Sequence, residues 1–205
     1  VELKGVGFSA DYAVSSQVIT SHNVVGRIEG AKRPNETVIY SGHWDHLGIG
    51  APDARGDRIN NGAVDNATGI AALIEMGRAF AHGKRPDRSI VFLAVTAEEK
   101  GLLGSEYYAA NPLYPLASTV AVLNMDALSP WGPTRDFSIS GSAKLDLLDR
   151  LIADAKAWNR VYTPDARPEA GSFFRSDHFP FAKRGVPAVS FDSGEDWVEG
   201  GVAAG

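Results

Sequence analysis

Residues 41–50 read SGHWDHLGIG, which sets His43, Asp45 and His46 within four positions directly after the apolar run TVIY, in a chain with five histidines in all. Imidazole and carboxylate at that density are the groups that bind divalent cations or move protons. Further acids stand at comparable places. The run IVFLAVTA (90–97) is followed by Glu98 and Glu99, TVAVLNM (119–125) by Asp126, and NGAVDNATG (61–69) presents Asp65 just before a helix-like segment. Each has an ordinary reading alone: Asp65 as a helix cap, Glu98-Glu99 as a solvated pair opening a helix, a single His as a hydrogen-bonded loop residue. Gathered at one sheet edge, the carboxylates would repel one another and need cations to neutralise them. Two divalent ions about 3.5–4 Å apart with one bridging carboxylate would do so, polarising a carbonyl and acidifying a shared water. The adjacent glutamates suit a division of labour, one binding metal while its neighbour takes the water's proton.

The elements that must position these groups alternate along the chain. Segments 23–28, 37–42, 89–96, 119–125, 136–140 and 187–191 are short, rich in β-branched or aromatic residues and bounded by Gly, Pro, Asn or Asp, as strands are. Several are apolar without alternation, the pattern of strands covered on both faces. Between them, 66–83 carries Ile70, Leu73, Ile74 and Gly77 at helical spacing with Gly83 as a stop, and 144–158 places Leu145, Leu148, Ile152 and Ala155 on one face. Segments 102–111 and 176–185 read as further helices, the latter with Asp177 near its positive end. Residues 6–16 alternate like an antiparallel edge strand. The pattern predicts an α/β fold, a three-layer αβα sandwich with a mostly parallel mixed central sheet. In such a sheet ligands bind beyond the carboxyl ends of the strands, which is where the acids and imidazoles fall.

The 205 residues, 44% hydrophobic, suit one domain spanning 1–205. The net charge of −5, with Lys and Arg scattered singly or in pairs, excludes a nucleic-acid surface. No cysteine is present, so a metal must be held by oxygen and imidazole. Apolar runs such as IVFLAV fall far short of the roughly 18 residues of a membrane helix, so no membrane span is expected. The start lacks Met and a signal-like stretch and reads as a piece of a longer precursor.

SGHWDHLG, NGAVDNATG, AVTAEEKGLLGSEYY, LNMDA and RSDHFPFAKRGVPAVSF stand in an order, across about 24–191, that resembles the successive motifs of the co-catalytic zinc aminopeptidases, metallopeptidase family 28. The resemblance implies the zinc-exopeptidase type of fold, two zinc ions as cofactor, and a peptide with a free N-terminus as substrate. By it, His43 and Asp126 bind one zinc, Asp65 bridges, Glu99 binds the other, and Glu98 is the general base. Asp45 is the carboxylate that orients the imidazole of His43, as metal-bound histidines require. His46 is read as a loop or pocket-wall residue. The Asp65-Asn66 peptide is expected to be cis. Arg175, Asp177 and His178 are assigned to substrate binding, and Phe173, Phe174 and Phe179 suggest an apolar side-chain preference.

One departure stands out. The family's second zinc takes its histidine from a later Tyr-His-x-Pro-x-Asp type motif, absent from a chain that ends EGGVAAG. The expectation is a fragment truncated at the C-terminus before that ligand, with substitution by His178 as the alternative. The functional reading is a zinc-dependent aminopeptidase, secreted or periplasmic by resemblance. Its rivals are a glutaminyl cyclase-like acyltransferase using one zinc and a non-catalytic peptide-binding module of the same fold.

Overall fold

A computed structural model describes residues 4, 5, 7–141 and 145–202. In chain order the elements are β1 (Val24–Ile28), β2 (Arg33–His43), β3 (Gly48–Ile49), β4 (Ile59–Asn60), α1 (Ala67–His82), β5 (Arg88–Val95), α2 (Leu103–Ala110), β6 (Thr119–Met125), β7 (Asp136–Ile139), α3 (Asp146–Ala157), β8 (Val161–Tyr162), α4 (Phe179–Ala182) and β9 (Ala188–Ser193). Short 3₁₀ turns lie between several of them, including Glu98–Lys100.

Seven strands form one sheet in the order β1-β5-β2-β6-β9-β7-β8. The central block β5-β2-β6-β9 is parallel throughout, β1 is antiparallel to β5, and β7 is antiparallel to β9 and parallel to β8. Because successive strand residues point to opposite faces, each apolar strand feeds two cores. On one face Ile39, Val91, Leu93, Val95 and Val122 pack with Tyr108 of α2 and Phe181 of α4. On the other, Tyr40 and Phe92 meet Phe80 of α1, while Ile139 and Val189 meet Leu148 of α3. Full burial of each such side chain contributes about 1.5–3 kcal/mol, so both helical layers are held by the strands between them. This is the three-layer αβα sandwich with a mixed, mostly parallel sheet.

Three expectations are corrected. Residues 7–16 form no strand and are exposed throughout, since their alternation meets no partner surface; the antiparallel edge strand is β1, and Val6 lies outside the described residues. The helix expected over 176–185 contracts to α4, whose first turn contains Pro180. The helix expected over 144–158 begins at Asp146, Lys144 lying outside the described residues, as do 203–205 of the terminal EGGVAAG. The hairpin of β3 and β4 and the short β8 lack the apolar patterning that marks the other strands.

Candidate metal centre

The sheet order makes β5, β2 and β6 neighbours, so their carboxyl ends open side by side. His43 is the last residue of β2 and pairs in register with Val95, the last residue of β5. Asp126 directly follows β6. The third group, Asp65, stands just before α1, and Asn66 fixes its approach. The Asn66 amide donates to the Met125 carbonyl at 3.0 Å, while its oxygen accepts the Gly69 N–H at 2.9 Å as the helix cap. Asn66 therefore does the capping that a local reading gives to Asp65, whose carboxylate is left for the site. A β-carbon on Gly69 would lie 2.4 Å from the Asn66 oxygen and 2.6 Å from the Met125 carbonyl, so only glycine lets α1 start this close to β6. The Asp65-Asn66 peptide is cis.

The His43 ring is almost wholly buried, and its Nδ1 donates to the main-chain carbonyl of Asp45 at 3.0 Å. That bond aims Nε2 at Asp65 Oδ1, 3.0 Å away, and Asp126 Oδ1, 3.2 Å away, with Glu98 Oε2 at 3.9 Å. The role expected of the Asp45 carboxylate is corrected in part. Its Oδ1 is 3.8 Å from His43 Nδ1, and the carboxylate instead accepts the backbone N–H groups of Glu98 at 3.1 Å and Glu99 at 3.4 Å. The geometric reason is the sharp turn after β5, with Ala97 at φ 55°, which points those two amides back toward residue 45.

A second group forms beside the first. His46 Nδ1 lies 2.7 Å from Glu99 Oε1, and with Asp65 these make a second set of three whose donor atoms all lie within 4.8 Å of one another, as do those of His43, Asp65 and Asp126. Asp65 belongs to both sets. His46 was legible only as a histidine three residues after another; what brings it inward is the fold of the 44–65 loop.

The electrostatics of the centre call for positive charge. Burial, the largest influence on His43, disfavours its charged form, yet Asp126, the Asp45 carbonyl and Glu98 together push it up to about 10. Burial likewise opposes the charged form of Asp126, but hydrogen bonds from His43 and Ser176 hold it below its ordinary value. Glu98 is pushed up to about 8, first by burial and then by the charge of Asp177. Asp65 Oδ1, Glu99 Oε1 and His46 Nδ1 are shielded from solvent and make no hydrogen bond among the described residues. An unsatisfied buried polar atom costs about 1–3 kcal/mol, so three together mark a place that a cation fits. Imidazole nitrogens and carboxylate oxygens without thiolate are a donor set suited to zinc.

Asp177 and His178 lie beneath this floor, both fully buried. Asp177 accepts a hydrogen bond from Ser105 at 2.6 Å and is raised to about 7 by burial. His178 packs edge-on against Phe173 at 4.8 Å, and burial lowers it to about 4. Neither residue enters a metal-type group among the described residues, and the structure places both in the buried layer next to Ser176. Ser176, which precedes them, donates to Asp126 Oδ2 at 2.7 Å and braces that carboxylate. Arg175 is exposed and lines a cleft of about 480 Å³ together with Glu98, Glu99, Leu102, Phe174 and Phe179.

Residues 23–199 match peptidase family M28. The chain belongs to this family. The M28 match runs from β1 through β9 and takes in every site residue described above. A "Probable zinc metalloprotease" of Pyrenophora teres f. teres (strain 0-1) is 37% identical over 103 residues, covering 50% of this chain and 22% of that protein. The structure of an aminopeptidase from Aneurinibacillus sp. strain AM-1 superimposes with a TM-score of 0.65 at 25% identity, over 84% of this chain and 39% of that one. A Porphyromonas gingivalis glutaminyl cyclase shares the fold with a TM-score of 0.61 at 21% identity, over 87% of this chain and 65% of that one. The M28 chain thus spans about a fifth of the first of these proteins and about two fifths of the second. No helix among the described residues is long and apolar enough to cross a membrane.

Proposed function

We propose that this chain carries the catalytic groups of a zinc-dependent aminopeptidase that hydrolyses the first peptide bond of a substrate with a free N-terminus. The observation that carries the reading is Asp65, one carboxylate shared by two adjacent sets of metal-type donors at the carboxyl edge of a parallel sheet. His43 and Asp126 would hold one zinc and Glu99 the other, with Asp65 between them. Zinc in such a place supplies Lewis-acid polarisation of the scissile carbonyl and a water acidic enough to attack it.

The remaining work falls to the chain's own side chains. Glu98 stands 3.9 Å from His43 Nε2 without belonging to either donor set, the position of a carboxylate free to exchange protons. It accepts the proton of the attacking water and returns it to the leaving amine, a role worth about 10²–10⁴-fold in rate. Its upward displacement to about 8 makes it readily protonated, and positive charge beside it brings that value down toward the working pH. Asp45 acts as a positioning residue through the amides of the 98–99 turn. Asp126 and Glu98 lie where a substrate ammonium can be held, which favours cleavage at the N-terminal residue.

The test compares the zinc-loaded chain on an aminoacyl anilide, its N-acetylated counterpart and an N-terminal glutaminyl peptide. Expected is hydrolysis of the free-amine substrate alone, falling 10²–10⁴-fold in Glu98→Gln while zinc content is kept. Equal cleavage of the acetylated substrate would rule out an aminopeptidase, and cyclisation of the glutaminyl peptide without anilide hydrolysis would establish the cyclase reading.

A further inference from the structure

Parallel strands covered on both faces are apolar, yet the central strands of this sheet carry one polar rung. Ser41 of β2 pairs in register with Asn124 of β6, which pairs with Ser190 of β9, and all three are buried. The rung before it, Ile39, Val122 and Ala188, belongs to the apolar core. Side chains return to one face of a sheet every second residue, and two residues further on stand His43 and Asp126. A buried polar group is costly unless its bonds are made, so a polar rung between the core and the metal-type residues calls for a physical reason.

The bonds are made, and they run one way. Ser176 Oγ lies 2.7 Å from Asp126 Oδ2 and 2.7 Å from Asn124 Nδ2. An ionised carboxylate only accepts, so the one hydrogen of the Ser176 hydroxyl goes to Asp126, and the Asn124 atom facing Ser176 must be a donor. That fixes the amide. Its Nδ2 faces Ser176 and, at 3.3 Å, Ser190, while its Oδ1 accepts the Ser41 hydroxyl at 2.8 Å. Asp126 Oδ2 is thereby engaged, and Oδ1 is the atom 3.2 Å from His43 Nε2.

We propose that Asn124 is a positioning residue for the metal centre: by donating to the Ser176 oxygen it commits the hydrogen of that hydroxyl to Asp126 Oδ2, so that Oδ1 is the oxygen presented to the metal position. The inference rests on the reading of Asp126 as a metal ligand but makes its own claim, that the direction of a buried relay, Ser41 to Asn124 to Ser176, sets how this carboxylate is offered.

The test measures binding of the first zinc equivalent, by calorimetry against a competing chelator, in the wild type, Ser176→Ala, Asn124→Leu and the double variant. Each single substitution should weaken it 10–100-fold, the range for losing an outer hydrogen-bond partner. The double variant should bind no more weakly than Ser176→Ala alone, because both changes act on Asp126 through one hydroxyl. Cobalt(II) bound in place of zinc should show the same altered visible band in both single variants, a readout that a general loss of stability does not move. Should Asn124→Leu fail to fold, Ser41→Ala deletes a single hydroxyl from the start of the relay and repeats the cycle with a smaller loss. Losses that add in the double variant, or wild-type affinity and cobalt spectrum in the folded Asn124→Leu or, in its place, Ser41→Ala protein, would overturn the assignment. A wild type that binds no zinc would instead overturn the metal reading, and this assignment with it.

Discussion

Asp45 holds Glu98 through the backbone, its Oδ1 accepting the Glu98 N–H at 3.1 Å, while the Asp45 main-chain carbonyl takes His43 Nδ1 at 3.0 Å. One residue thus braces an imidazole with its backbone and the paired glutamates with its side chain. Asp45→Ala removes only the second of these supports. Expected is a 10–100-fold loss of peptidase activity, the range for losing an outer hydrogen-bond partner, with the affinity for the first zinc equivalent unchanged. Steady-state kinetics and zinc titration of the variant check this; an equal loss of first-ion affinity would mean that the carboxylate, not the carbonyl, orients His43.

The metal-free protein should lose stability as pH rises. A carboxyl raised by folding binds its proton more tightly in the folded than in the unfolded chain, so the folded state is penalised as pH climbs from the unfolded value of about 4 to the folded one. For Asp177 that window closes at about 7 and for Glu98 at about 8, burial being the main cause in both. His43, raised to about 10, adds stability below 6.5 that fades as pH passes through its folded value, so all three slopes have the same sign. Zinc replaces the protons, and the zinc-dependent gain in Tm should therefore grow between pH 5 and 8. Thermal melts with zinc and with a chelator decide it, and a gain that shrinks with pH would contradict the assignment of these groups to one charge-starved site.

Much of this site could be read from residue order because strand ends are conspicuous. His43, Asp126 and the Glu98-Glu99 pair each follow an apolar run, and the sheet order then made those runs neighbours. What escaped the sequence depends on backbone direction and on packing. That Asp45 orients His43 by its carbonyl and the glutamate turn by its carboxylate follows from the left-handed Ala97, which no local pattern announces. His46 is turned inward by a loop whose closure depends on Gly62 some sixteen residues away. Phe8, Tyr12 and Val14 alternate as a strand should, yet remain exposed because no strand of this sheet pairs with them.

Ser105 and Asp177 form a fully buried pair, the hydroxyl donating at 2.6 Å. Ser105→Ala strips the carboxyl of that donor, and Asp177 Oδ2 already lacks a partner among the described residues. Destabilisation of about 1–3 kcal/mol is expected, the cost of a buried polar group left unsatisfied. Because the hydroxyl favours the ionised carboxylate, the loss should be greater at pH 8 than at pH 5. Urea denaturation at the two pH values measures it, and a loss that is larger at pH 5 would mean that the hydroxyl serves the protonated form.

Arg175 shares its cleft with both glutamates and the aromatic pair Phe174 and Phe179, whose rings meet edge-on at 5.2 Å. Lys183 in the same cleft is already paired with Glu106 at 2.7 Å, whereas no ion pair engages the Arg175 guanidinium among the described residues. A planar fork of donors beside apolar walls suits a substrate carbonyl or carboxylate held next to the scissile bond. Because the group stands apart from the donor sets, Arg175→Ala should raise KM about 10-fold and leave kcat within about twofold, the signature of binding lost equally from ground and transition states. Arg175→Lys keeps the charge but not the fork and should recover only part of that loss. If kcat falls while KM holds, Arg175 acts on the reacting carbonyl in the transition state, and its place moves from the substrate wall into the chemistry itself.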